Sequence, residues 1–215
     1  MKFKFILLFF ITCVSCKNQA NVDKTKTLPF YNSEEFTPEW IPKSADVYSE
    51  IHTIAPFEFT NQNGQIITNQ NFIGKIYVAD FFFTTCPSIC PILAKSMGSL
   101  QEMYKEDENI LLLSHSVMPW VDSVSKIKEY ALEQKVIDTK WHLVTGDRES
   151  IYTIARSSYF ADEDFKKTKD ESEFIHTENF VLVDKKGRIR GVYNGTLALD
   201  VQRLKRHIEI LKKEF

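Results

Sequence analysis

Two hydrophobic periodicities alternate along most of this chain. Residues 75–83 are almost unbroken apolar sequence, with Ile76, Tyr77, Val78, Ala79, Phe81, Phe82 and Phe83 around one acid, Asp80. Such a run suits a central strand buried on both faces. Residues 110–113 repeat the pattern and residues 141–144 give a shorter version. Between these runs, apolar residues recur at helical spacing. Ile92, Leu93, Met97, Leu100 and Met103 form one stripe, and Val124, Ile127, Tyr130, Ala131 and Leu132 another. Residues 151–155 predict a short helix, and Val201, Leu204, Ile208 and Leu211 mark a closing one.

Two segments read as β-hairpins. Residues 57–60 and 65–68 flank Asn61-Gln62-Asn63-Gly64, whose Asn-Gly pair is a hairpin signal. Residues 179–183 and 189–193 flank Lys185-Lys186-Gly187. Strands alternating with helices predict an α/β layered domain, and the closing antiparallel hairpin makes its sheet mixed. The order fits a thioredoxin-like mixed sheet with flanking helices and an N-terminal β-hairpin. Asp80, by strand alternation, is expected to be buried or paired.

The first residues predict an exported protein. Lys2 and Lys4 precede an apolar run over residues 5–11, followed by Thr12-Cys13-Val14-Ser15-Cys16 and then polar sequence. This is the layout of a secretory leader over residues 1–15. The run is too short for a permanent bilayer-spanning helix, which needs about 20 residues. A small residue directly before Cys16 resembles a lipoprotein signal, in which Cys16 becomes the acylated first residue and two or more acyl chains hold it stably at a membrane. An ordinary cleaved leader with a spare cysteine is the alternative. Residues 16–45 then form a polar tether and an extended segment whose Phe30, Tyr31, Phe36 and Trp40 dock on the domain of residues 46–215. That domain would face the periplasm or the cell exterior, lipid-anchored to a cell membrane.

Composition narrows the function. The 215 residues are 43% hydrophobic and 26% charged, with a formal net charge of -2. The profile is that of one globular domain, and no nucleic-acid partner is expected from that charge. Lys166-Lys167, Lys185-Lys186 and Lys212-Lys213 each have acids nearby and read as solvated faces.

Chemistry concentrates at Cys86-Pro87-Ser88-Ile89-Cys90-Pro91, where the buried run ends and a helical stripe begins. Free N–H groups and the partial positive charge of a helix N-terminus favour thiolate over thiol. Pro91 suits a first helical turn. With Cys86 in the loop before the helix, the pair can close as a disulfide or open as two soft sulfurs suited to Cu(I). A structural disulfide around so small a loop would be a weak staple. A zinc site would want four ligands.

Among the five histidines, His52, His142 and His207 read as surface, edge or solvated positions. His176 leads into the second hairpin, which in a thioredoxin-like sheet packs beside the cysteine-bearing strand. Its imidazole could complete a site of two sulfurs and one nitrogen. His115, at the end of the 110–113 strand, is a candidate supporting or acid–base residue, because ligands gather at the carboxyl ends of strands. Met118 is a soft sulfur nearby, more often a packing residue.

Residues 81–91 resemble the signature of Sco/SenC proteins. The resemblance extends over about residues 50–211, through residues 57–68, residues 141–154 with Thr145-Gly146-Asp147, and residues 176–193 with Asp184-Lys185-Lys186-Gly187-Arg188. It implies a thioredoxin-like fold and copper, as Cu(I), Cu(II) or both, bound by two cysteines and one histidine. The matching positions are Cys86, Cys90 and His176. It further implies assembly of the dinuclear copper centre of cytochrome c oxidase, or reduction of that centre's cysteines. The partner would be the copper-site subunit of that oxidase or another exported thiol protein. One departure is the stretch 114–119, which lacks the family's aspartate–proline element and carries His115 instead.

Three functions compete. A copper-delivery protein needs both thiols and His176. A thiol–disulfide oxidoreductase needs Cys86 and Cys90 but not the histidine; its usual spacing, Cys-x-x-Cys, is one residue shorter than here. A peroxidase would need one low-pKa thiolate and an arginine such as Arg156 or Arg188 beside it.

Overall fold

A computed structural model describes residues 23–162, 175 and 177–215. The leader, Cys16 and His176 lie outside the described residues. Seven strands form one sheet in the order β2-β1-β5-β4-β3-β6-β7: β1 (Glu58–Asn61), β2 (Ile66–Thr68), β3 (Ile76–Phe82), β4 (Ile110–Ser116), β5 (Trp141–Thr145), β6 (Asn179–Val183) and β7 (Ile189–Asn194). β3, β4 and β5 are parallel neighbours, and every other pairing is antiparallel. The mixed α/β sheet expected from the sequence is the one observed.

Every residue of β3 is buried, because helices cover both faces. α1 (Ile89–Met103), α2 (Val124–Glu133) and α4 (Ala198–Lys213) pack on the face formed by Val78, Phe82, Leu112 and Leu143. α3 (Arg148–Ser157) and the β1–β2 region cover the other face through Tyr77, Phe81, Leu113 and Val181. α3 starts where Asp147 accepts a hydrogen bond from Ser150 N (2.8 Å), a cap worth about 1 kcal/mol. The first hairpin turns at Gly64, whose φ of +73° is readily reached only without a side chain.

β4 is three residues longer than its apolar run, taking in Ser114, His115 and Ser116. Those polar residues are buried because each finds a neighbour suited to it. Ser114 hydrogen-bonds Asp80 and accepts from Trp141 Nε1 (2.8 Å), while Ser116 donates to Asp122 (2.6 Å). The expectation that His115 ends the strand is therefore corrected: it sits within β4, opposite Phe81.

The segment before residue 46 is tied to the sheet edge. Phe30 pairs with Glu39, and Tyr31 N donates to Ile189 O of β7 (3.1 Å). Leu28 and Phe30 are buried, and the Phe30 ring lies 4.2 Å from the Arg190 guanidinium. Among the described residues, no helix is long and apolar enough to cross a membrane.

Candidate thiol and metal site

The site begins where β3 ends. Beyond Phe82 the chain turns through Thr84 and Thr85, and α1 starts with Ser88 as its N-cap. The Ser88 hydroxyl makes no capping hydrogen bond. The sulfur of Cys86 takes that role, receiving hydrogen bonds from the backbone of Cys90, Ser88 and Ile89. Burial pushes the Cys86 thiol upward, but these donors and the Cys90 thiol outweigh it, leaving its pKa below the ordinary value. Cys90 is the opposite case. Burial, with the nearby Cys86 and Asp80 adding to it, pushes its thiol up to about 12, against a backbone hydrogen bond from Phe83. Both thiols are free and buried. One sulfur is thus favoured as thiolate while its neighbour retains a proton, the division of roles that thiol exchange needs.

Asp80 lies on the same face of the sheet. Its carboxyl is 2% exposed and pushed up to about 7 by burial, which the Ser114 hydroxyl only partly offsets. Tyr130 of α2 stacks on Phe82 at 5.3 Å and feels the charges of Asp80, Cys90 and Cys86.

Asp122, not singled out from the sequence, holds the turn in place. Its carboxylate is fully buried and accepts from Thr84 N (3.2 and 3.3 Å), Thr84 Oγ1 (2.6 Å) and Ser116 Oγ (2.6 Å). The stretch 114–119 lacks an acid, but Asp122, three residues past Pro119, supplies one to the same loop. The only sequence signal was an acid within a loop that follows a strand end. We predict that Asp122→Ala, by leaving Thr84 N and Ser116 Oγ without acceptors, lowers stability by about 3 kcal/mol. Thermal unfolding of the copper-free protein should show a midpoint about 10 °C lower.

His115 is not brought to the cysteines. It occupies the opposite face, its ring 5.1 Å from Phe81, 5.3 Å from Tyr159, 5.6 Å from Phe59 and 6.1 Å from Phe57. Neither ring nitrogen has a well-formed hydrogen bond among the described residues. Burial drives its pKa down to about 3, with only the Asp80 backbone opposing. Sidedness explains the correction: residues 113 and 115 share one face, and the cysteine turn packs on the other.

His52, His142 and His207 are less exposed than expected. His207 Nδ1 bonds the Tyr193 hydroxyl (2.8 Å), His52 Nε2 bonds Ser158 O (2.8 Å), and His142 is half-buried beside Phe72. Arg156 pairs with Asp162, and Arg188 with Asp184. Neither pairing involves the cysteine turn. No group of three His, Cys, Asp or Glu residues among the described residues forms a metal cage. The two sulfurs, one with its pKa lowered, fit a soft monovalent ion better than a hard cation.

The lead into β6 is stitched to α1. Glu178 O accepts from Gly195 N (2.8 Å), and Gly195 O accepts from Ser96 Oγ of α1 (2.8 Å). A side chain at residue 195 would meet Leu93 and Phe180 at 2.7 Å, so glycine permits this approach.

Comparison with known proteins gives one consistent answer. The family described as SCO1/SenC matches residues 46–211. A SCO1 protein homolog of Bacillus subtilis is 32% identical over 149 residues, 67% of this chain and 75% of its own length. The crystal structure of a SCO1/SenC family lipoprotein from Bacillus anthracis superposes with a TM-score of 0.65 at 28% identity, covering 75% of this chain and 95% of that one. BsSco, described as a member of the Sco family of cytochrome c oxidase assembly proteins with a disulfide switch, gives 0.63 at 28%, covering 75% and 94%. ScoI of Bradyrhizobium japonicum, solved with copper bound, gives 0.54 at 26%, covering 72% and 99%.

Proposed function

The chain belongs to the SCO1/SenC family, and from that premise we propose that it is a copper chaperone acting in cytochrome c oxidase assembly, with Cys86, Cys90 and His176 as the copper ligands. The observation that carries this reading is the pair of free, buried thiols gathered at the N-terminus of α1, with the Cys86 thiolate favoured. Copper is the cargo. Two soft sulfurs and an imidazole suit Cu(I). The stitch from Glu178 through Gly195 to α1 supports His176 as the third donor, since Glu178 lies two residues beyond it. Copper in the Bradyrhizobium relative and oxidase assembly in the description of BsSco support the cargo and its destination.

The second reading is reduction of a partner's disulfide, favoured by the unequal thiols. The Cys86 thiolate attacks one partner sulfur, releasing the other as a thiolate and forming a mixed disulfide. Cys90 loses its proton and attacks Cys86. The products are a Cys86–Cys90 disulfide and a fully reduced partner, two electrons having moved to the partner. The chain would work at a membrane surface, anchored through an acylated Cys16, as the name of the Bacillus anthracis lipoprotein supports.

Titration of Cu(I) into the reduced protein against a competing chelator tests the first reading. One tightly held copper per chain is expected. His176→Ala should weaken it by at least about 10-fold, since even groups outside the ligand set change metal affinity by that much. Binding indifferent to His176 rules out the three-ligand site. No binding above the competitor leaves the reductase as the function.

A further inference from the structure

The two ends of the sheet differ in chemistry. The cysteine turn lies beyond the last residue of β3. At the other end, three segments remote in sequence meet: the N-terminal strap, the β6–β7 turn and residues Glu214 and Phe215. Gly74 N donates to Lys185 O (3.2 Å), which sets Ile73 beside the β6–β7 turn, and Ile54 N donates to Gly187 O (2.8 Å). Lys185 Nζ lies 5.5 Å from the centre of the Phe215 ring. Leu28 N donates to Glu214 (2.7 Å). The buried Arg190 guanidinium joins these parts by donating to Leu28 O, Pro29 O, Asp184 and Glu214.

The chain therefore enters the described structure, at Asp23, from the end opposite the cysteines. Six residues lie between Cys16 and Asp23, so the seven peptide steps span at most about 25 Å. With acyl chains on Cys16, this end of the sheet is tied close to the bilayer.

Its surface has what an anionic bilayer recognises. Lys186, Lys24, Lys26 and Lys43 are exposed and Lys185 is partly so. Ile73 is 63% exposed and Phe215 46% exposed, both large apolar side chains. Beside Ile73 lies a pocket of about 300 Å³ lined by Phe57, Phe72, Tyr77, Lys185 and Lys186. The acids at this end are Glu106, Asp107 and Glu108 in the turn before β4, Asp23, which pairs with Lys26 (3.3 Å), and Glu214, which pairs with the buried Arg190 (2.7 Å), so the basic surface centres on Lys185 and Lys186 at the β6–β7 edge. A few lysines beside apolar side chains, together with an anchor, make an interfacial contact.

We infer that this end of the sheet is the membrane-facing surface of the domain, with Lys185 and Lys186 binding the phosphates of anionic phospholipid and Ile73 and Phe215 entering the headgroup layer. The inference rests on the lipid-anchor reading and extends it. It holds the cysteine turn a full seven-residue strand away, about 23 Å, pointing from the bilayer toward a partner.

The test uses the full acylated chain in vesicles of phosphatidylglycerol with phosphatidylethanolamine, and in vesicles of phosphatidylcholine alone. Lysine acetylation rates are read by mass spectrometry. Lys185 and Lys186 should react about fivefold more slowly in the anionic vesicles, while Lys95 and Lys126, on α1 and α2, react equally in both. In the double variant Lys185→Glu, Lys186→Glu the protein should stay on the vesicles while Lys24 and Lys26 lose protection. Equal rates for Lys185 and Lys186 in the two vesicles, with the protein retained, overturn the inference and leave the anchor standing. A chain retained on neither vesicle overturns the anchor reading and this inference with it.

Discussion

With serine in place of Cys86 or Cys90, tight Cu(I) binding is expected to disappear while the fold persists. A hydroxyl is a hard, neutral donor and does not replace a thiolate toward Cu(I). Loss of a ligand should exceed the 10–100-fold penalty known for groups that merely support ligands, so affinity should fall by more than about 100-fold. Because both thiols are free, no crosslink is lost with either substitution. Stability should change by no more than about 1–2 kcal/mol, the range for an isosteric change at a buried site. The two variants separate in thiol chemistry. Cys86→Ser removes the favoured thiolate, so no mixed disulfide forms with a disulfide-bearing peptide. Cys90→Ser keeps the nucleophile but removes the group that resolves it, so the mixed disulfide accumulates. Chelator competition and mass spectrometry of trapped adducts read both effects. A Cys90→Ser protein that still holds copper at wild-type affinity would falsify the two-sulfur site.

Much of this arrangement was legible in the sequence, for identifiable reasons. The first hairpin was visible because Asn63-Gly64 both stops a strand and supplies the positive φ of its turn. β3 was visible because burial on both faces leaves no room for polar alternation, and Asp80, the exception, is buried and bonded to Ser114. The cysteines were placed at a strand–helix junction, and the structure puts them there. What stayed hidden depends on sidedness and long-range pairing. Ser114, His115 and Ser116 read as the end of a strand because they are polar, yet Asp80, an aromatic cage and Asp122 make their burial tolerable. Asp122 lies 36 residues beyond Cys86, and only the parallel pairing of β3 with β4 brings its loop to Thr84. No local pattern encodes that pairing.

The same two strands carry buried groups whose titrations oppose each other, and the consequence is measurable. Asp80 titrates at about 7 in the fold and near 3.9 unfolded. Between about pH 4 and 7 the native state holds the extra proton, so stability falls as pH rises, by about 4 kcal/mol in all. His115 titrates at about 3 in the fold and near 6.5 unfolded. Between those values the unfolded chain holds the extra proton, so this group lowers stability as pH falls, again by about 4–5 kcal/mol. Over pH 4–6.5 the two slopes cancel, and substitution of either residue should expose the other. Asp80→Asn should match the wild type at pH 4 and exceed it by up to about 4 kcal/mol at pH 7.5. His115→Leu removes the orphaned ring nitrogens, and its stability should decline steadily from pH 4 to 7. Urea unfolding of the reduced, copper-free proteins from pH 4 to 8 gives the difference curves directly. Curves parallel to wild type would mean that neither group titrates as its burial dictates. Diverging curves would show that the charge beneath Cys90 is carried at a cost to the fold, which an exclusively structural acid at position 80 would have no reason to impose.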